Sequence, residues 1–219
     1  KINQVSTQNF FSTFLFSYSN TIQTQISKSN FINFIQTPLV FRNHELLDAQ
    51  FCSTDNFTYS KFKDCQIVLN NEKFSDVLIV DCTFENNALS NNNRGGAIYF
   101  CFDGSLTVFG TFFIKFSAQD GGAIFAAKSD GTSGANMDRD NAKLFLSHYC
   151  CYSSCYAKGY GSAGLIAASD LQLNFSSTIN CPDSENTADG AQFDLQSGSS
   201  KSPGSIASSN INSTTVHSK

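Results

Sequence analysis

Cysteine and carboxylate are the residue types whose spacing in this chain suggests chemistry. Cys150, Cys151 and Cys155 stand close together and Cys181 follows. Such a set can bind zinc or be oxidised to disulfides. Zinc lacks partners, because His148 is the lone histidine nearby and no Cys-x-x-Cys occurs. The four are therefore the disulfide candidates, whereas Cys52, Cys65, Cys82 and Cys101 are spaced like interior positions of a β structure. The total of 8 cysteines is even. Asn56, Asn174 and Asn212 each open an Asn-x-Ser/Thr triplet, the acceptor for N-glycosylation. Together these features point to export.

Carboxylates concentrate once, in residues 128–141, where Asp130, Asn136, Asp138, Arg139 and Asp140 gather among Gly and Ser. Sugar-cleaving enzymes need paired Asp or Glu with a basic neighbour, so a catalytic reading starts here. Asp138 and Asp140 are also able to hold Ca²⁺ or position a sugar. The competing reading is a solvated loop with no ligand of its own: its spacing matches no calcium loop, and no His or Tyr base stands beside it. No nucleophile triad or phosphate-cradling glycine loop is present, so no catalytic residue and no cofactor is expected.

The elements that would carry these residues are repeats. Gly95-Gly96-Ala97-Ile98 returns 26 positions later as Gly121-Gly122-Ala123-Ile124, each followed by an aromatic residue. Leu78-x-Val80-x-x-Thr83-Phe84 matches Leu106-x-Val108-x-x-Thr111-Phe112 at an offset of 28. Leu144-Phe145-Leu146 and Leu171-Gln172-Leu173 open two later units, and the segments around Leu165 and Ala191 are again 26 apart. The long step from Leu106 to Leu144 places residues 128–141 as an insertion, which makes that loop the expected place for function. Apolar residues alternate, as in Leu78-Val80-Cys82-Phe84, and Asn, Ser, Asp and Gly cut the runs short, so the elements read as short strands.

Strands and a period of 26 to 28 predict an all-β fold, a parallel β-helix with one coil per repeat. Glycine then serves corners that need positive φ or close backbone approach. An ordinary hairpin turn in an antiparallel sandwich is the other reading of Gly-Gly-Ala-Ile. At roughly 4.8 Å per coil, roughly seven to nine coils make a solenoid about 35 to 45 Å long.

The glycine tetrads, with Phe84 and Asn87 of Phe84-Glu85-Asn86-Asn87, resemble the two short motifs of polymorphic membrane protein repeats, Gly-Gly-Ala-(Ile/Leu/Val) and Phe-x-x-Asn. The resemblance is clear from about Val77 to Ala127 and has Lys115 where the next unit would repeat Asn87. It implies a right-handed parallel β-helix of the pectin-lyase-like type, as found in surface-exposed adhesins. Gly95, Gly96, Gly121, Gly122, Phe84 and Asn87 are the structural residues it marks.

Composition agrees with one elongated domain. Charged residues are 15% of the 219, against about 25% in an average domain, and Asn, Ser, Thr and Gln supply the polar surface. The 22 Phe with no Trp point to stacked rings inside. Residues 1–195 read as a single domain, irregular over 1–73 and clearer over 74–195. Ile26-Ser27-Lys28-Ser29-Asn30 resembles Ile206-Ala207-Ser208-Ser209-Asn210, while the Ser-rich 196–219 reads as a last coil or a stalk. Net charge of −4 without clustered Lys or Arg argues against nucleic acid. No apolar run spans a membrane, and a chain opening on Lys reads as a piece of a longer one. The expected function is a non-catalytic extracellular or cell-surface scaffold, adhesin-like, that binds a protein or glycan. The alternatives are a carbohydrate-active enzyme and a filament component joined end to end through open coil ends.

Overall fold

A computed structural model of the chain describes residues 2–12, 14–17, 25–34, 39–43, 53–71, 75–89, 93–101, 104–127, 142–182, 192–197, 205–207 and 214–218. The protein is all-β. No helix occurs among the described residues, so none is long and apolar enough to cross a membrane. Among the described residues the strands pair parallel in a 15-stranded and an 8-stranded sheet.

Three series of strands recur in order along the chain. The first contains Gln25–Ser27, Ser53–Thr58, Ser75–Val80, Gly104–Phe109, Ala142–His148 and Gly164–Asn174. The second, which is the smaller sheet, contains Asn30–Phe34, Lys61–Lys63, Thr83–Ala88, Phe112–Ala118, Cys151–Ser153 and Ser177–Ile179. The third contains Leu39–Asn43, Ile67–Asn71, Ile98–Cys101, Ile124–Ala127 and Phe193–Ser197. Each strand lies beside its counterpart one repeat on, and Gly164–Asn174 is long enough to join the first series to the third. The Ser-rich end adds Ser205–Ala207 and Thr214–Ser218 to the larger sheet.

In-register parallel pairing stacks like on like. Phe31, Phe62, Phe84, Phe113 and Tyr152 form a continuous column of fully buried rings, with centroids 5.2, 4.8, 5.1 and 4.9 Å apart. Each such ring contributes about 1.5–3 kcal/mol through burial. Ile67, Ile98 and Ile124 stand in a second column, and Gly164 continues it because the Phe193 ring fills the space a larger side chain would take. Phe100 beside Ala126 shows the same exchange of large for small. On the opposite side of these strands Phe125, Ala127, Leu165 and Ala167 form a smaller cluster with Tyr99 and Tyr160.

Corners separate the first series from the second. Two residues five apart take positive φ in each repeat: Lys28 and Asn33, Tyr59 and Asp64, Asp81 and Asn86, Gly110 and Lys115, Tyr149 and Ser154, Phe175 and Asn180. Just inside the first of them stands a small polar residue: Ser29, Ser60, Cys82, Thr111, Cys150 or Ser176. The turn points a backbone N–H away from the sheet, and a buried donor needs an acceptor. Ser29 N donates to Ser60 Oγ at 3.2 Å, Cys82 N to Thr111 Oγ1 at 3.3 Å and Cys150 N to Ser176 Oγ at 3.4 Å. Ser29, Cys82, Thr111, Cys150 and Ser176 in turn donate to the carbonyl two residues earlier, as Thr111 does to Phe109 at 3.0 Å.

The corner also corrects the expected register. Val77 pairs with Leu106 and Ile79 with Val108, so the match of Leu78 to Leu106 is one residue out. Leu106 likewise pairs with Phe145, and Leu165 with Asp194, not with Ala191. A positive-φ residue interrupts the period-two alternation, so the inward set is Val77, Ile79, Cys82 and Phe84. In the next repeat Thr111 and Phe113 face inward, whereas Phe112 is exposed. Asn87 pairs with Phe116, and Lys115 is the counterpart of Asn86.

Candidate binding surface

Four corner and pre-corner positions of three successive repeats carry rings that the core does not use. Phe109, His148 and Asn174 are paired neighbours ending their strands, and Tyr149 and Phe175 follow at the corner. His148 stacks on Tyr149 at 4.4 Å and on Phe175 at 5.3 Å, Tyr149 stacks on Phe175 at 5.0 Å, and Phe109 meets both His148 and Tyr149 edge-on at 5.5 Å. The cluster faces outward: Phe109 is 38%, Tyr149 55% and Phe175 46% exposed, and Phe112 just past the corner is 51% exposed. At its base, His148 Nε2 and Asn174 Oδ1 are buried without a hydrogen-bond partner.

Contact between its rings separates this cluster from isolated exposed aromatics such as Tyr59, which shares the positive φ of the corner. Contiguous exposed rings mark an interaction site, whereas scattered ones need no explanation. Tyr149 and Phe175 also have φ of 55° and 51°, a conformation that costs a bulky L-residue about 1–2 kcal/mol. The sequence reading missed these residues. Their signal is an aromatic residue directly before the small polar corner residue, in Tyr149-Cys150 and Phe175-Ser176, one repeat apart.

The motif residues serve the framework. A Cβ on Gly95 or Gly121 would strike the carbonyl of Ile98 or Ile124, and both glycines have positive φ. Gly96 and Gly122 instead make room for the neighbouring backbone, at Gly122 O and Ser162 O. Asn87 Nδ2 donates to Gly96 O at 3.0 Å, tying the Phe-x-x-Asn segment to the glycine corner. Asp120 bridges successive repeats, accepting from Arg94 Nε at 3.1 Å and from Tyr160 N at 3.2 Å. The Arg94 guanidinium lies 5.0 Å from the Phe125 ring.

No disulfide joins the described cysteines. Of Cys150 and Cys151, read above as disulfide candidates, Cys150 is buried at the corner and Cys151, which opens the following strand, is half-buried on its outer side. Cys155 and Cys181 are thiols in one corner column. Asn174 Nδ2 donates to Gln172 Oε1 at 3.5 Å, so glycosylation would require its half-buried side chain to swing out. Asn56 lies in Ser53–Thr58. Asp130, Asn136, Asp138, Arg139, Asp140 and Asn212 lie outside the described residues.

Among the described residues no group of His, Cys, Asp or Glu gathers to hold a metal. Glu85 sits 2.7 Å from Lys61 Nζ, and that hydrogen bond holds its carboxyl below the usual range. No protein-family model, curated protein or solved structure matches this chain.

Proposed function

We propose that the chain is a right-handed parallel β-helix of the polymorphic membrane protein repeat type, a non-catalytic scaffold outside the cell or on its surface. Its outer face binds a protein or glycan partner. The solenoid reading is supported by parallel in-register ladders between consecutive repeats and by corners at fixed intervals. Acceptor triplets and even cysteine number support export.

The observation that carries the binding role is the exposed cluster of Phe109, His148, Tyr149 and Phe175. Aromatic side chains supply large contact area at low entropic cost and dominate binding energies at interfaces. The test removes the rings without adding strain, by Tyr149→Gly with Phe175→Gly, since glycine accepts positive φ. Binding to a glycan panel and to intact cells is expected to fall at least about tenfold while circular dichroism is unchanged. Undiminished binding by a folded double variant would remove this surface from the proposal.

A further inference from the structure

We propose that Cys155 and Cys181 are a disulfide site, joined between successive repeats when the protein meets a disulfide oxidant. Ser153 pairs with Ile179, and Cys155 N donates to Cys181 Sγ at 3.3 Å, so the two cysteines are successive members of one column. Parallel neighbours lie about 4.8 Å apart, inside the Cα separation that disulfides require. Elsewhere a cysteine in these columns has other neighbours. Cys82 stands between Ser60 and Thr111, Cys150 between Thr111 and Ser176, and Phe116 precedes Cys155. Cys155–Cys181 is thus the described place where two consecutive members both carry sulfur.

Exposure orders the chemistry. Cys181 is 5% exposed and Cys155 is fully enclosed, so an oxidant such as oxidised glutathione meets Cys181 first. The hydrogen bond from Cys155 also pulls Cys181 down to about 7 from an ordinary 9.0, while burial pushes Cys155 well up. The Cys181 thiolate attacks one glutathione sulfur, breaks that S–S bond and expels a glutathione thiolate. Cys155 then loses its proton and attacks the Cys181 sulfur of the mixed disulfide, expelling the second glutathione thiolate. The protein loses two electrons and two protons; one oxidised glutathione becomes two reduced molecules.

The site stands on register alone and is independent of the proposed binding role. The test equilibrates the intact chain in glutathione buffers from reducing to oxidising, then alkylates it in denaturant and maps chymotryptic peptides. Cleavage after Tyr152 separates Cys155 from Cys150 and Cys151. The expected result is a reversible Cys155–Cys181 cross-link at the oxidising end, with Cys65, Cys82 and Cys150 still alkylated. Cys181→Ser keeps a small side chain that can accept from Cys155 N and is expected to fold, form no cross-link and lose the rise in unfolding midpoint that oxidation causes in the parent. Full alkylation of Cys155 and Cys181 at the oxidising end would overturn the proposal, as would their pairing with Cys150 or Cys151. The wild-type map decides this even without the variant.

Discussion

Buried thiols in this protein do the work of hydroxyls, and the cost appears at high pH. Cys82 and Cys150 stand in the same column as Ser29, Ser60, Thr111 and Ser176 and donate to the same kind of carbonyl, Cys82 to Val80 and Cys150 to His148, each at 3.4 Å. Burial pushes Cys65 up to about 12 and Cys82 up to about 11 from an ordinary 9.0, and it raises Cys150 and Tyr152 as well. A raised pKa means that folding favours the protonated form. That contribution is fully present below the ordinary thiol pKa and is lost as pH rises through the folded values. Cys181, pulled down, acts in the opposite sense: its contribution is present above the ordinary 9.0 and is lost as pH falls through about 7. The denaturant midpoint is therefore expected to drop steeply between pH 9 and 12, and less so in Cys82→Ser; a flat profile to pH 12 would contradict it.

Corners are where each repeating element departs from ideal strand geometry. They accept positive φ at Lys28, Asn33, Asp64, Asn86, Lys115 and Asn180, where glycine would fit without strain. Asn and Asp tolerate the conformation better than long or aromatic side chains do. Lys115 is exposed and leaves little packing to lose. Lys115→Gly is expected to stabilise the fold by up to about 1 kcal/mol, the relief of strain outweighing the flexibility added to the unfolded chain. Urea titration with an unchanged m-value would measure it, and a lowered midpoint would refute the strain argument. Tyr149 and Phe175 carry the same strain, and their retention in an exposed cluster is the reason to read that corner as functional.

At the scale of the whole molecule, stacking makes the spacing between repeats elastic while register stays fixed. Phe31, Phe62, Phe84, Phe113 and Tyr152 are separated by 31, 22, 29 and 39 residues, yet their rings stack at nearly constant distance. Residues 128–141, read from the sequence as an inserted loop, lie outside the described residues, where the step is longest, between Ile124–Ala127 and Ala142–His148. Deleting 129–141 is therefore expected to leave circular dichroism and thermal midpoint nearly unchanged, because lengthening or shortening a loop changes closure entropy slowly. If the loop contributes to the proposed binding, attachment to cells falls in the same variant. Loss of the fold on deletion would show that the segment belongs to the framework.

Repetition itself was legible in the sequence: Gly95-Gly96-Ala97-Ile98 and its copy predict that Ile98 pairs with Ile124, and they do. So was the abundance of Phe as a stacked interior. Ile26 and Ile206, matched by local pattern, each enter the first series of strands. Register finer than the period was not legible, because Leu78 matches Leu106 in type although Val77 is its partner, and because a positive-φ residue at Asp81 or Gly110 shifts the alternation by a position until Asn86 or Lys115 shifts it again. Hydrophobicity alone cannot choose between Phe112 and Phe113; tertiary packing buried Phe113 and left Phe112 outside. Cys155 and Cys181, one 26-residue period apart, were already grouped with Cys150 and Cys151 in the sequence, and tertiary structure chose between the four; it also gathered Phe109 with His148, Tyr149 and Phe175, since the step from Phe109 to His148 is longer than the period.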